Sequence, residues 1–448
     1  MSLAMQLGRF ASAVDVKALP ADIVEAIKLR ILDTLGAGLA GIALGRHRVL
    51  EPVLESSGNV RVWGEVRTLS AREAALVNSF ATHATYLEDG SRFTGGHPSS
   101  VVIPAVLADA QARSASGADV VAAVVAGYEV FLRLGRAIYP ACVNKGFQST
   151  AVLGAVSSAA AVARLRGLSG KACGHAIAIG ANLGVGMKEA LKNSTMQPIQ
   201  VARSCEGGMV AAALTQAGQQ GAEMVLEKGF LPGFGDGNAD AAGAITEGLG
   251  RDYRIAETYL KRHAGCRGNH APLDAALELI AAHRIRAQDV MRVRVAVDTV
   301  TRAAAIEPPT DGDQAQFSIG FSIALAFVEG NASIFHYSDA KLGDAAVRAM
   351  MGRIDVLVDP ALDLRYPDER GSWVEVQFAS GEVVRHAVAN ARGEPEWPLT
   401  SDDVQDKFMS LARPCLGAQA SELLRAVDLL PATSAHELAA LLAPKNHE

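Results

Sequence analysis

Between Pro20 and about residue 218 the apolar residues of this chain recur at helical spacing in segment after segment, and only beyond about residue 285 does the period fall to two. That change of period limits the fold to a helical body joined to a smaller unit built on a sheet. The first long helix is predicted over 20–44, with Asp22 in its first turn and Ile23, Ile27, Ile31 and Leu35 on one stripe. Helices are also predicted at 71–87, 98–114, 118–138, 149–166, 170–183 and 205–218, and no strand is expected in this half. Farther on, Met291-Arg-Val-Arg-Val-Ala-Val-Asp298 alternates and Ile354-Asp-Val-Leu-Val358 is a short apolar run. Trp373–Phe378 and Glu382–Val388 flank Ser380-Gly381 as a hairpin. Helical stretches near 315–329 and 339–352 lie among these strands, and helices return at 401–412 and 419–428 after Glu394-Pro-Glu-Trp-Pro398. With 448 residues the chain exceeds what one core holds. The expected fold is therefore mainly α with an α+β lid: a large discontinuous all-helical domain, 1–265 and 396–448, and a smaller α+β domain, 266–395.

Composition excludes several functions. A hydrophobic fraction of 49% with only 5% aromatics describes a well-buried interior of small residues. The net charge of −6, with no run of Lys or Arg, argues against a nucleic-acid surface. Five cysteines without a CxxC pair give no structural zinc motif and suit a reducing, cytoplasmic setting. Neither a signal sequence nor an apolar stretch of membrane-spanning length is legible, so no membrane is expected. Gly36-Ala-Gly38-Leu-Ala-Gly41 matches the dinucleotide-binding pattern letter for letter, but it lies inside helical periodicity and not after a strand. Its glycines are expected to let helices approach closely.

The chemistry gathers in His83-Ala-Thr-Tyr-Leu-Glu88-Asp89-Gly90-Ser-Arg92-Phe-Thr94-Gly-Gly-His97-Pro98-Ser99-Ser100. Pro98 is suited to the first position of a helix, so the backbone NH groups of Ser99 and Ser100 would point out of the helix start beside His97, a spot that attracts a carboxylate. Two readings stay open: an acid/base loop, or solvated charges beside a capping histidine. A second run, Lys261-Arg-His263-Ala-Gly-Cys266-Arg267-Gly-Asn-His270-Ala-Pro-Leu-Asp274, lies where the texture changes, and clefts form at domain boundaries. It offers Lys261 and Arg267 as cations for carboxylates and His270 as a group titrating near neutrality. A third run, from Asn193-Ser194 through Gln197 to Arg203-Ser-Cys-Glu-Gly-Gly, is a polar loop entering a tightly packed helix, with Arg203 either structural or a substrate cation.

Leu32-Asp33-Thr34-Leu-Gly36, the His83–Ser100 loop, Gly146-Phe-Gln-Ser-Thr150, Leu226-Glu-Lys-Gly-Phe230, Cys266-Arg267 with His270 and Asp274-Ala275, and Ala315-Gln-Phe-Ser318 together resemble the MmgE/PrpD family, and the resemblance runs over almost the whole chain. That family includes 2-methylcitrate dehydratase, cis-aconitate decarboxylase and iminodisuccinate epimerase. The resemblance implies a homodimer without a cofactor, acting on a small carboxylate substrate. It places the catalytic residues on Asp89, His97, Lys261 and His270; the candidate substrate-binding set is Thr94, Ser99, Gln197, Arg203, Cys266, Arg267 and Phe321. Three positions depart from the family pattern: His263 where an aromatic is usual, Gln197 where the Gly-Ser-x-x-Lys segment has lysine, and Phe321 where the Phe-Ser-x-x-Tyr segment has tyrosine.

The chemistry such relatives share is removal of a proton next to a carboxylate or imine, followed by expulsion of a group or return of the proton. The expected activity is that of a 2-methylcitrate dehydratase-like lyase or a diverged epimerase. His97 is the preferred base, with Asp89 orienting it or acting as a second acid/base group, and Lys261 with Arg267 clamping substrate carboxylates. Two other readings remain: a non-catalytic carboxylate-binding paralogue, and a metal-dependent hydrolase or lyase using His83, Asp89, His97 and His270, whose spacing carries no metal signature.

Overall fold

A computed structural model describes residues 1–192, 196–237, 241–366 and 368–444. The chain divides into two compact units, one of Met1–Tyr259 with Thr400–Glu448, the other of Leu260–Leu399. Lys261 and His263, read from sequence as part of the helical domain, thus belong to the smaller unit. Helices dominate the first unit and a four-stranded sheet centres the second, so the chain is mainly α with an α+β part. Among the described residues no helix is long and apolar enough to cross a membrane.

In the large unit the helix Ala21–Ala43 carries the stripe read from sequence, with Ile27, Ile31 and Leu35 fully buried. Its glycines serve packing. A Cβ on Gly41 would stand 2.0 Å from the carbonyl oxygen of Ala81, and one on Gly38 2.9 Å from the Thr82 hydroxyl. The helix Ala71–His83 therefore lies directly on Ala21–Ala43, and His83, at its last position, is sealed. Ser99–Arg113, Gly117–Ile138, Ser149–Leu165 and Met196–Gln216 complete the core around it.

Several sequence expectations need correction. The first half is not free of strands: Val60–Arg61 and Thr68–Leu69 pair as a short antiparallel ladder, β1 and β2, too brief for a period of two to register. The helix expected from 205 begins at Met196, because Pro198 falls inside its first turn, where a missing NH costs nothing. The stretch 315–329 is helical as Ile319–Glu329, capped by the Ser318 hydroxyl, which accepts from the Phe321 NH. The stretch 339–352 is broken at Gly343, and Asp344 caps a new helix, Ala345–Met351. A further helix, Leu3–Ala13, was not anticipated and packs on Gly170–Gly180.

The small unit holds β3 (Val290–Val297), β4 (Ile354–Val358), β5 (Ser372–Phe378) and β6 (Val383–Val388) in the order β4-β3-β5-β6. β3 and β4 are parallel; β5 and β6 form the hairpin turned at Ser380-Gly381. The alternation of β3 is realised as two faces. Val293, Val295 and Val297 are buried, and the neighbouring Arg292 and Arg294 pair outward with Asp355 and Glu375. His270–His283 and Ile319–Glu329 pack against this sheet.

Within the large unit a buried ion pair ties the returning C-terminal helix Ser401–Leu416 to the helix Ala21–Ala43. Lys407 Nζ lies 2.5 Å from Asp33 Oδ1 and donates to the Leu87 carbonyl at 2.8 Å. Burial pushes the Asp33 carboxyl up against the pull of Lys407 and Arg30. Lys407→Met is expected to cost about 3–5 kcal/mol by stranding that carboxylate. Adding Asp33→Asn should recover part of it. Urea unfolding measures both, and equal losses in the single and double variants would show that the stranded charge is not the cause.

Candidate active site

The chain leaves Ala71–His83 through Tyr86, whose φ of 49° is left-handed and uncommon for an aromatic residue. It then runs buried through Leu87, Glu88 and Asp89. Gly90 pairs with Tyr259 by two backbone hydrogen bonds, Gly90 N to Tyr259 O at 3.1 Å and Tyr259 N to Gly90 O at 2.8 Å. A side chain there would displace its neighbours, since a Cβ on Gly90 would meet the Tyr259 hydroxyl at 2.4 Å and His97 Nδ1 at 2.9 Å. The Tyr259 segment is held in turn by the buried guanidinium of Arg30, which donates to the Thr258 hydroxyl at 2.7 and 2.9 Å and to its carbonyl.

Asp89 occupies the helix start that the sequence marked as an anion site. Pro98 caps the helix from outside, Ser99 is its first residue, and the Ser99 NH donates to Asp89 Oδ1 at 3.1 Å. The Tyr128 hydroxyl, from the middle of Gly117–Ile138, donates to Asp89 Oδ2 at 2.8 Å. The carboxyl is fully buried, and that burial, opposed by Arg30, Ser99 and Tyr128, raises it from 3.8 to about 6. Asp89 meets His97 through its backbone carbonyl and not its carboxylate: His97 Nδ1 donates to Asp89 O at 2.6 Å. The carboxylate of Glu88 lies 3.9 Å from the same nitrogen and 2.7 Å from His83 Nδ1. Gln197 reaches this group, with its amide nitrogen 3.4 Å from His83 Nε2 and its oxygen accepting from Tyr86 at 3.5 Å. The side chains of His83 and Glu88 are sealed completely, whereas that of His97 is 17% exposed.

The large unit thus brings together Asp89, His97, Ser99 and Gln197 from the sequence-derived set, and adds His83, Glu88 and Tyr128. His83 and Glu88 were visible in the loop; Tyr128 stands mid-helix, with no local signal to mark it. Thr94 is spent on the turn itself, donating to the Ser91 carbonyl and accepting from the Gly96 NH. Arg203 stands away from the group, on an exposed face, paired with Glu206. Asn193 and Ser194 lie outside the described residues.

In the small unit, Asp274 is fully buried near the start of His270–His283. Its Oδ1 accepts from His263 Nε2 at 2.8 Å and Arg262 at 3.1 Å, and its Oδ2 from the Arg392 NH at 2.8 Å. His270 is buried beside it with Nε2 lacking a partner; burial, with His263 and Lys261 nearby, holds its ring well below its ordinary value. Lys261 is itself buried. Arg267 pairs with Glu394 at 2.5 Å, so part of its fork is committed within the protein. The Cys266 NH donates to the Gln316 carbonyl, and Phe321 is a core residue whose ring packs on Tyr337 at 5.6 Å. No group of three or more His, Cys, Asp or Glu among the described residues is arranged to hold a metal ion.

With this geometry in hand, comparison with known families gives two matches, to the MmgE/PrpD N-terminal domain over residues 5–241 and the MmgE/PrpD C-terminal domain over residues 263–430. The chain belongs to the MmgE/PrpD family. It is 26% identical to a cis-aconitate decarboxylase-like protein of Aspergillus oryzae, oryM, over 95% of this chain and 94% of that one. It is 25% identical to the cis-aconitate decarboxylase of Aspergillus terreus strain NIH 2624, over 91% and 88% of the two chains, and 25% identical to the human cis-aconitate decarboxylase, over 90% and 86%.

The position of Asp89 has a consequence for stability. A carboxyl raised from 3.8 to about 6 binds its proton more tightly folded than unfolded, so its ionisation subtracts stability as pH rises through that window. The rise from 3.8 to about 6 corresponds to about 3 kcal/mol, fully expressed above the folded value. Asp89→Asn removes the titration. The stability of that variant relative to wild type should therefore improve by up to ~3 kcal/mol between about pH 3 and 7. Denaturant unfolding of both proteins across that range checks this, and a difference independent of pH would contradict it.

Proposed function

We propose that this protein is a lyase of small carboxylates that breaks a bond next to a substrate carboxylate by proton transfer from its own side chains. The observation that carries this reading is the state of His97: one ring nitrogen is fixed on a carbonyl, a carboxylate stands nearby, and the ring is the one member of the His83, Glu88, Asp89, His97 group open to solvent. With Nδ1 donating to Asp89 O, Nε2 is the nitrogen that exchanges a proton with substrate. When it takes a proton, Glu88 offsets the charge. Asp89, sealed by Ser99 and Tyr128, is a positioning residue here and exchanges no proton with substrate. In the small unit, Lys261 and the donors of Arg267 supply positive charge for carboxylates, and His270, held neutral, is a second acceptor.

Two reactions of the class suit such groups. Loss of CO2, the reaction named for the relatives, leaves an electron pair on carbon that a proton quenches; loss of water removes a proton and needs an acid for the departing hydroxyl. Gln197, which does not titrate, and Phe321, which has no hydroxyl, offer little to the second, so decarboxylation is preferred. Epimerisation is the alternative, since a ring that takes a proton from carbon can also return one to it.

Proton NMR in deuterated water with cis-aconitate, 2-methylcitrate, citrate and iminodisuccinate separates these readings. Release of CO2 or a new alkene is the expected result; exchange of an α-proton alone would indicate an epimerase, and no change in any acid would overturn the proposal. His97→Gln should lower kcat by ~10²-fold or more with KM little changed. Undiminished turnover in that variant would remove His97 from the reaction.

A further inference from the structure

We infer that His263, aimed by Asp274, is a proton-transferring residue of the small unit; the inference rests on the lyase reading above. Its starting point is the placement of the Asp274 carboxylate, which meets three donors and no solvent: His263 Nε2, one Arg262 nitrogen and the Arg392 NH. A carboxylate so tied cannot leave its position, and it fixes the His263 ring with Nε2 as the donor. Nδ1 is then the nitrogen available to exchange a proton. The His263 side chain keeps 8% exposure where that of Asp274 has none, so the ring is not sealed.

Its neighbour makes the assignment specific. His270 lies edge-on to His263, with ring centroids 5.6 Å apart, and its Nε2 is buried without a partner. Burial and the surrounding positive groups disfavour a charge on His270. The charged groups facing this pair are Asp274, Arg262, Lys261 and Arg267. Two imidazoles side by side thus sit in opposite surroundings, one backed by a carboxylate and one held neutral, which is the pattern that separates an acid from a base. In the forward step, the imidazolium of His263 gives its Nδ1 proton to the carbon left with an electron pair when CO2 departs: the N–H bond breaks, the C–H bond forms, and the ring is left neutral. Asp274 keeps its charge throughout and compensates the imidazolium before transfer. Water then reprotonates the ring.

The test uses the full-length protein and the acid it turns over fastest in the NMR screen. His263→Gln should lower kcat by ~10²-fold with KM within a few-fold, and remove the limb of the pH–kcat profile set by a group that must be protonated. Asp274→Asn should lower kcat similarly, since the amide would hold the ring in the wrong tautomer. Activity of His263→Ala should recover at least ~10-fold on adding free imidazole, which a merely structural histidine would not allow. If the variants do not fold, ¹⁵N-histidine titration of wild type decides: His263 should change protonation in the pH range of that limb, and a ring in one state throughout overturns the inference. Wild-type turnover matched by His263→Gln, with the limb intact, overturns this inference alone. Failure of wild type to act on any of the acids overturns the lyase reading and this inference with it.

Discussion

Everything in the His83–Ser100 loop is referred to one carboxylate that has lost its water. Asp89 is fully buried, and its two oxygens are taken by the first NH of the Ser99–Arg113 helix and by the Tyr128 hydroxyl. The backbone NH at a helix start and the aligned peptide dipoles behind it are what make a sealed negative charge tolerable there. They do not make it free, since the carboxyl remains raised to about 6. With its side chain fixed in this way, the Asp89 carbonyl becomes a rigid acceptor for His97 Nδ1. The tautomer of the exposed histidine is therefore set by the same residue that anchors the loop to the helix behind it.

Around that anchor the loop is pinned from elements far apart in sequence. Lys407 grips the Leu87 carbonyl from the returning C-terminal helix, and Tyr259 pairs with Gly90 from a segment that Arg30 holds in place. Each clamp uses a buried charge with its hydrogen bonds met inside the protein, the arrangement that gives geometry more than net stability. The small unit repeats the logic in another form. There Asp274 acts directly on an imidazole, taking His263 while its other oxygen holds the Arg392 backbone. In the large unit the backbone carbonyl of a residue with a sealed carboxylate fixes His97, and in the small unit a sealed carboxylate fixes His263 directly, so each ring is oriented by groups that solvent does not reach.

Much of this was legible in the chain. The stripe of Ile27, Ile31 and Leu35, the valine–arginine alternation of β3 and the Ser380-Gly381 hairpin are local patterns, each written within one element, and the structure reproduces them. The helix start at Pro98-Ser99 was equally visible as an anion site, because NH groups at a helix end advertise themselves locally. What was not visible was the anion: the site holds the Asp89 of the same loop. The two-residue strands β1 and β2 and the split at Gly343-Asp344 escaped because they are shorter than any period that could announce them.

By itself, then, the sequence determined the sequence of helices, the change to an α+β unit, and the loop in which acids, histidines and glycines gather, since these depend on side-chain spacing along one segment. The tertiary structure alone decided which of those groups work on each other. Tyr128 meets Asp89 across 39 residues, Lys407 meets Asp33 across 374, and Arg203, six residues past Gln197, turns to the exposed face while Gln197 turns inward. The physical reason is that a buried charge or an unpaired ring nitrogen is defined by what surrounds it on every side. Those surroundings are assembled from helices whose packing, through contacts such as Gly41 on Ala81, no single segment encodes.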